Sequence, residues 1–190
     1  MTEADLTERI FQGCLEEFKE NGVRFTMDSL AKRIGISKRT LYETIPSKNE
    51  IVTMVVEKTF ADVKNQQRVI LADQTLCTVD KIKRLFTVVP TYVNVVDYRR
   101  MNEIRVSYPK LYQYIQERLE TDWEPTIMLL EQAMSEGVIR KVNITILRLL
   151  LCQVYENLIN GEELIKNHIS YETAMQEAIG IIFEGVLVRA

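Results

Sequence analysis

Residues 26–51 read TMDSLAKRIGISKRTLYETIPSKNEI, and this stretch decides the fold. Thr26 is a good N-cap, and Asp28 in the first turn opposes the positive end of the helix dipole, so a short helix opens here. Leu30, Ala31 and Ile34 form its inner face. Gly35 stops it, because glycine accepts the left-handed backbone that a tight turn requires. Only Ile36 separates that glycine from Ser37, the N-cap of the next helix, KRTLYETI. Pro46 cannot continue that helix and pushes the residue before it toward extended geometry. Ser47, Lys48, Asn49 and Glu50 then form a capping box that opens another helix. Ala31 lets two helices cross closely, and Leu30, Ile34, Ile36, Leu41 and Ile45 hold them together. The spacing is that of a helix-turn-helix whose second helix enters a major groove with Ser37, Lys38, Arg39 and Thr40 foremost.

Charge agrees with that geometry. Residues 22–48 carry six basic side chains against two acidic ones, a balance of +4, whereas the whole chain has 24 basic and 27 acidic residues and a net charge of −3. The remainder therefore sums to −7. A basic island in an acidic protein is the electrostatic footprint of DNA contact without general stickiness.

The flanks read as helices from end to end. Residues 2–21 place Leu6, Ile10, Cys14 and Phe18, with Phe11 and Leu15 flanking, at three-to-four spacing with acidic and amide groups on the other face, an amphipathic helix that Asn21-Gly22 ends. The helix opening at Ser47 runs to about residue 67 by the same periodicity. Further spans fall near 80–97, 100–108, 109–136, 143–160 and 171–188, and Pro90 and Pro125 predict kinks in two of them. No period-two run with hairpin chemistry appears, nor an internal repeat. The expected fold is all-α, with about nine helices. A three-helix helix-turn-helix domain over 1–48 precedes a second helical domain over 49–190, and helix 47–67 connects the two.

The 190 residues are enough for a sizeable core, while seven Gly and four Pro are too few for a turn-dense β protein. The N-terminus MTEADLTERI lacks the basic start and apolar core of a signal peptide, and no apolar run approaches the ~18–20 residues that cross a bilayer. Cys14, Cys77 and Cys152 are odd in number and far apart, which suggests neither a disulfide framework nor a metal site. A cytoplasmic protein with no cofactor and no membrane partner is expected.

With these residues in view, the chain resembles the DNA-binding signature of TetR-family transcriptional regulators, closely from Ile10 to Met54. Thr26, Ala31, Gly35, Ser37, Leu41, Tyr42, Pro46, Lys48 and Ile51 carry the likeness. Ile45 departs from it, standing where the family usually has Phe in a Tyr-x-x-Phe pattern. Beyond residue 54 only helix count, length and hydrophobicity agree.

The resemblance implies roles for matching positions. Tyr42, Lys48, Thr26 and Thr40 would hold DNA phosphates, and Lys38 and Arg39 would read base edges beside the capping Ser37. Phosphate contacts set orientation and base contacts carry sequence information. It also implies an effector cavity in the aromatic-rich middle of the chain, with Phe86, Tyr92, Tyr108, Tyr112, Trp123, Gln153 and Asn157 as candidate lining for an unknown small molecule. Ordinary core packing is the rival account of these aromatics. Glu103 and Arg105 are candidates to orient a ligand, with salt bridges as the favoured expectation.

Helices 143–160 and 171–188 are apolar on more than one face, which implies burial on a second side. In TetR-like proteins such a pair makes a four-helix dimer interface. Leu147, Leu150, Leu151, Val154, Leu158, Met175, Ala178, Ile179, Ile182, Phe183 and Val186 are the candidates here. The expected function is a sequence-specific DNA-binding transcriptional regulator. It would be a repressor that binds a palindromic operator as a homodimer and is released by a small-molecule effector.

An enzyme is disfavoured. His168 stands alone in an interhelical break, Glu16-Glu17 and Glu162-Glu163 read as surface pairs, and Cys14 and Cys152 read as small buried hydrophobes. No phosphate loop, HExxH or GxSxG occurs. The alternative is a helical protein-interaction module that has lost effector control or DNA binding.

Overall fold

A computed structural model describes residues 2–91, 99–121, 123–160 and 162–187. The chain is all-α, as expected, with eleven α-helices among the described residues and no strand beyond an isolated bridge between Ile139 and Leu187. It divides into two compact units, Met1–Asp62 with Pro90–Gln113 and Val63–Val89 with Tyr114–Ala190. The sequence expectation is a boundary at 48/49, whereas the first compact unit runs on to Asp62 and takes in Pro90–Gln113.

In the first unit, α1 (Glu3–Asn21) opens on a capping box in which Thr2 Oγ1 accepts from Asp5 N at 3.1 Å and the Asp5 carboxylate accepts from Thr2 N at 2.8 Å. It buries Ile10, Phe11, Cys14, Leu15 and Phe18, the expected stripe. Gly22, at φ 59°, ends it and starts a 3-10 turn, Gly22–Arg24. Then come α2 (Met27–Arg33) and α3 (Lys38–Thr44), each capped by the expected hydroxyl. Thr26 accepts from Ser29 N and Ser37 from Thr40 N, both at 3.0 Å.

The turn between them is a Schellman motif. Gly35, at φ 64°, donates to Lys32 O at 3.2 Å, and Ile36 N donates to Ala31 O at 3.0 Å. A close helix approach occurs at Gly13 of α1, where an added Cβ would stand 2.2 Å from Ile34 Cγ2. A glycine inside a helix costs about 1 kcal/mol relative to alanine, and this contact is its reason.

The fourth helix, α4 (Lys48–Ala72), begins where Ser47 Oγ accepts from Glu50 N at 3.2 Å, and it runs further than residue 67. Next are α5 (Thr78–Phe86) and α6 (Arg99–Ser107), the latter against the 3-10 turn of the first unit. Pro90 bends no helix, because α5 ends at Phe86, where Thr87 N closes on Lys83 and Arg84 carbonyls. The single span expected over 109–136 is two helices, α7 (Pro109–Glu120) and α8 (Glu124–Ser135). Pro125 lies in the first turn of α8, where a missing N–H removes no intrahelical bond, so it starts a helix instead of kinking one. A short α10 (Glu162–Lys166) lies between α9 (Ile144–Asn160) and α11 (Tyr171–Glu184). The α7/α8 break and α10 raise the helix count above the expected nine or so, which periodicity alone had given.

The core of the second unit gathers Ile82, Leu85 and Phe86 of α5 with Leu129, Leu130 and Ala133 of α8. Leu147 and Leu151 of α9, and Met175, Ile179 and Phe183 of α11, complete it. Phe86 sits 5.6 Å from the Phe183 ring and 6.1 Å from Trp123, and Trp123 lies 6.5 Å from Tyr155. The polar ends of these rings are satisfied: Trp123 Nε1 donates to Leu119 O at 3.0 Å and the Tyr155 hydroxyl to Phe86 O at 3.2 Å. No described helix is long and apolar enough to cross a membrane.

Candidate nucleic-acid interface

The helix-turn-helix presents the N-terminal turn of α3 to solvent. Ser37, Lys38 and Arg39 are exposed, Thr40 is half-buried beneath them, and Leu41 is wholly buried and anchors the helix. Thr26, at the start of α2, is exposed as well. Tyr42 is 41% exposed, too much for a packing residue and enough to offer its hydroxyl outward.

The two cations in the first turn of α3 are already paired within the chain. Lys38 Nζ lies 2.6 Å from Asp28, which holds its ammonium above the ordinary lysine value. Arg39 Nε donates to Glu43 one turn on at 2.8 Å. Both pairs are well exposed, and pairs of that kind contribute only ~0–1 kcal/mol, so a phosphate or a guanine edge can displace them.

Arg33 and Lys48 are placed differently. Arg33 is drawn inward by Glu16, Glu17 and Glu20 of α1 and takes no part in the outward face. Lys48 is half-buried; its ammonium donates to Val23 O and lies 4.6 Å from the centre of the Phe25 ring. Burial pushes its pKa below the ordinary lysine value.

Glu17 corrects a sequence expectation. Glu16-Glu17 read as a surface pair, but Glu17 is only 2% exposed. Its carboxylate accepts from Arg33 Nε at 2.7 Å, Asn21 Nδ2 at 2.9 Å and Ser29 Oγ at 3.1 Å. Its partners are Asn21 at the end of its own helix and Ser29 and Arg33 on α2, and no spacing rule marks a surface-patterned glutamate as their meeting point. Arg9, also unforeseen, donates to Ile34 O at the C-terminus of α2. Gly13 did carry a signal, since a glycine inside an amphipathic helix needs a packing reason.

The effector candidates are divided. Tyr108 and Tyr112 are half-buried in the first unit, while Phe86, Trp123, Gln153 and Asn157 belong to the second. Phe86 and Trp123 lie together in the aromatic cluster. Gln153 and Asn157 are exposed on α9. Tyr92 lies outside the described residues. Glu103 accepts a hydrogen bond from Val23 N at 2.9 Å.

The dimer candidates divide by burial. Leu147, Leu151, Met175, Ile179, Phe183 and Val186 belong to the core of their own chain. Val154, Leu158, Ala178 and Ile182 are half-buried, and Leu150 is 55% exposed. Ile146, Leu149 and Ile181, which were not among the interface candidates, are exposed beside them at 54%, 55% and 71%.

Residues 10–55 match the family model for bacterial regulatory proteins, tetR family. Over 181 residues the chain is 23% identical to the uncharacterized HTH-type transcriptional regulator YvaF of Bacillus subtilis (strain 168), covering 95% of each chain. Among solved structures, SmeT, the repressor of the Stenotrophomonas maltophilia multidrug efflux pump SmeDEF, is similar at TM-score 0.72 and 16% identity, over 97% of this chain and 91% of that one. The ketosteroid transcriptional regulator KstR2 of Mycobacterium tuberculosis is similar at TM-score 0.62 and 18% identity, over 97% and 96% of the two chains. At these identities the structures attest the fold.

Proposed function

We propose, for a chain that belongs to the TetR family of transcriptional regulators, that it reads a palindromic operator as a homodimer and represses transcription until a small molecule releases it. The observation that carries this is the exposed first turn of α3, with Lys38 and Arg39 projecting from a helix anchored by buried Leu41. Lys38 and Arg39 read base edges. Thr26, Thr40, Tyr42 and Lys48 hold phosphates around them. Repression is supported by likeness in fold to SmeT, itself a repressor.

A second copy covers the α9–α11 face. Ile146, Leu150, Gln153 and Asn157 recur at helical spacing and are all exposed, so the two amides belong with this face. Leu149 and Ile181 extend it. A two-fold dimer built on this face matches an operator of two inverted half-sites.

The effector occupies the second unit near Trp123 and Phe86, and α4, whose residues fall in both units, carries the change to the DNA head. A ligand does this only by binding one conformation more tightly than the other.

Selection of bound duplexes from a random DNA library tests the proposal, with wild type and a Lys38→Ala/Arg39→Ala variant in parallel. A palindromic motif enriched by wild type alone is expected. Wild type that is folded and dimeric yet enriches nothing at low salt would leave a helical interaction module as the better description.

A further inference from the structure

Val23, in the 3-10 turn between α1 and α2, has both backbone polar groups claimed from far along the chain. Its N–H donates to Glu103 Oε2 of α6 at 2.9 Å, eighty residues away in sequence. Its carbonyl accepts from the Lys48 ammonium at the first residue of α4. Asn21 stands in the N-cap position of the turn but makes no capping hydrogen bond; its Nδ2 donates to Glu17 at 2.9 Å. The turn therefore starts on an N–H that a distant carboxylate satisfies. Val23 is 5% exposed, so losing that acceptor would leave a donor with little water to turn to.

The segment held this way also seats the Lys48 side chain. Lys48 Nζ rests on the Val23 carbonyl and 4.6 Å from the Phe25 ring, and Phe25 is itself buried, its ring tilted against Phe18 at 5.6 Å. Thr26, the next residue, caps α2. A lysine side chain has many rotamers, and a fixed seat removes that freedom before a phosphate arrives.

We infer that Glu103 is a positioning residue for DNA binding: by anchoring the Val23 turn, it fixes the ammonium of Lys48 where the head meets phosphate. The inference rests on the proposed role of Lys48. Glu103 itself touches no DNA. It acts through two consecutive peptide groups, one bonded to its carboxylate and the next to the lysine.

The test uses the full chain and the duplex enriched in the random-library selection, with affinity measured over a salt series. Glu103→Ala is expected to weaken binding roughly tenfold and to lower the salt slope by about one, as loss of one phosphate contact does. Glu103→Gln keeps an oxygen that accepts from Val23 and is expected to restore affinity to within about twofold. Glu103→Ala/Lys48→Ala should bind no more weakly than Lys48→Ala alone, whereas Glu103→Ala/Arg39→Ala should show the two losses in full. Equal additivity with Lys48 and with Arg39 would overturn the inference, as would a Glu103→Ala protein that binds like wild type. If Glu103→Ala does not fold, Glu103→Asp, which withdraws the carboxylate by one methylene, takes its place in the same cycle. A wild type that binds no duplex would remove the DNA reading and this one together, while an additive cycle with a binding wild type removes only this one.

Discussion

Arg33 Nε donates to the Glu17 carboxylate at 2.7 Å, which joins the last residue of α2 to α1 through a charge pair on which one partner is almost wholly buried. The helix-turn-helix rests on the helix before it, and short apolar contacts leave some sliding freedom between α1 and α2. The acceptor geometry of Glu17, filled by Arg33, Asn21 and Ser29 at once, removes it.

Glu17→Gln should therefore destabilise the chain by about 2–3 kcal/mol in urea unfolding, since it leaves the Arg33 guanidinium without its best-buried partner. The effect depends on pH. Burial alone would raise the Glu17 pKa, but hydrogen bonds from Arg33, Asn21 and Ser29 outweigh it, and the carboxyl is held below its ordinary value of 4.5. A depressed folded pKa stabilises the protein fully above 4.5, and the contribution fades as pH falls through the lowered value. The stability gap between wild type and Glu17→Gln should be constant near neutrality and shrink in acid. A gap that widens in acid would contradict the assignment.

Gly13→Ala should destabilise even though alanine is the better helix former. The new Cβ would meet Ile34 Cγ2 at 2.2 Å, and Ile34 is tied to the same helix through its carbonyl, which accepts from Arg9. Overpacking of this kind costs about 1–3 kcal/mol, more than the ~1 kcal/mol of helix propensity gained. Combining it with Ile34→Ala, which removes the clashing methyl, should cost less than the sum of the two single changes. Thermal unfolding of the four proteins in the cycle measures this.

Arg39→Ala should relax preference at one base position by about 1–3 kcal/mol if its contact is bidentate. Glu43→Gln frees the same guanidinium from its 2.8 Å pair and should strengthen binding a few-fold at low salt, because an exposed pair costs ~0–1 kcal/mol to open. Repeating the duplex selection with each variant separates the two effects. Arg39→Ala that lowers affinity with the preferred sequence unchanged would assign Arg39 to phosphate.

Two neighbouring leucines on α9 should respond in opposite ways. Leu150 is 55% exposed and Leu151 is fully buried. Leu150→Glu should give a folded monomer in sedimentation experiments, whereas Leu151→Glu should lose helical signal, a buried charge without a partner costing several kcal/mol. If Leu150→Glu stays dimeric, another face makes the interface.

Local chemistry made the head legible in the sequence. Thr26, Ser37 and Gly35 each announce a backbone geometry through their own side chain or the lack of one, and all three do what their chemistry requires. The second unit was less legible because apolar periodicity reports that a helix is buried without reporting against what. Leu151 and Leu150 look alike in sequence, yet one fills the core and the other faces outward. Pro125 misled for a related reason, since proline both starts and bends helices and the difference depends on where the chain breaks before it. Glu103 and Val23 are joined across eighty residues by a hydrogen bond from a backbone N–H to a side-chain carboxylate, for which a sequence pattern carries no mark.

The internal pairing of the head's cations bears on how the protein moves through a chromosome. Arg33 faces its own glutamates, Lys38 and Arg39 lean on neighbouring carboxylates, and Lys48 rests on a carbonyl. Before contact, the surface offers DNA a patchwork in place of a uniform positive field, so fewer counterions are released on an arbitrary stretch. Short residence on arbitrary DNA is the expected consequence, with a target search made of frequent detachment and re-encounter. Only a matching groove, which repays the opening of each pair, turns a brief stop into a long one.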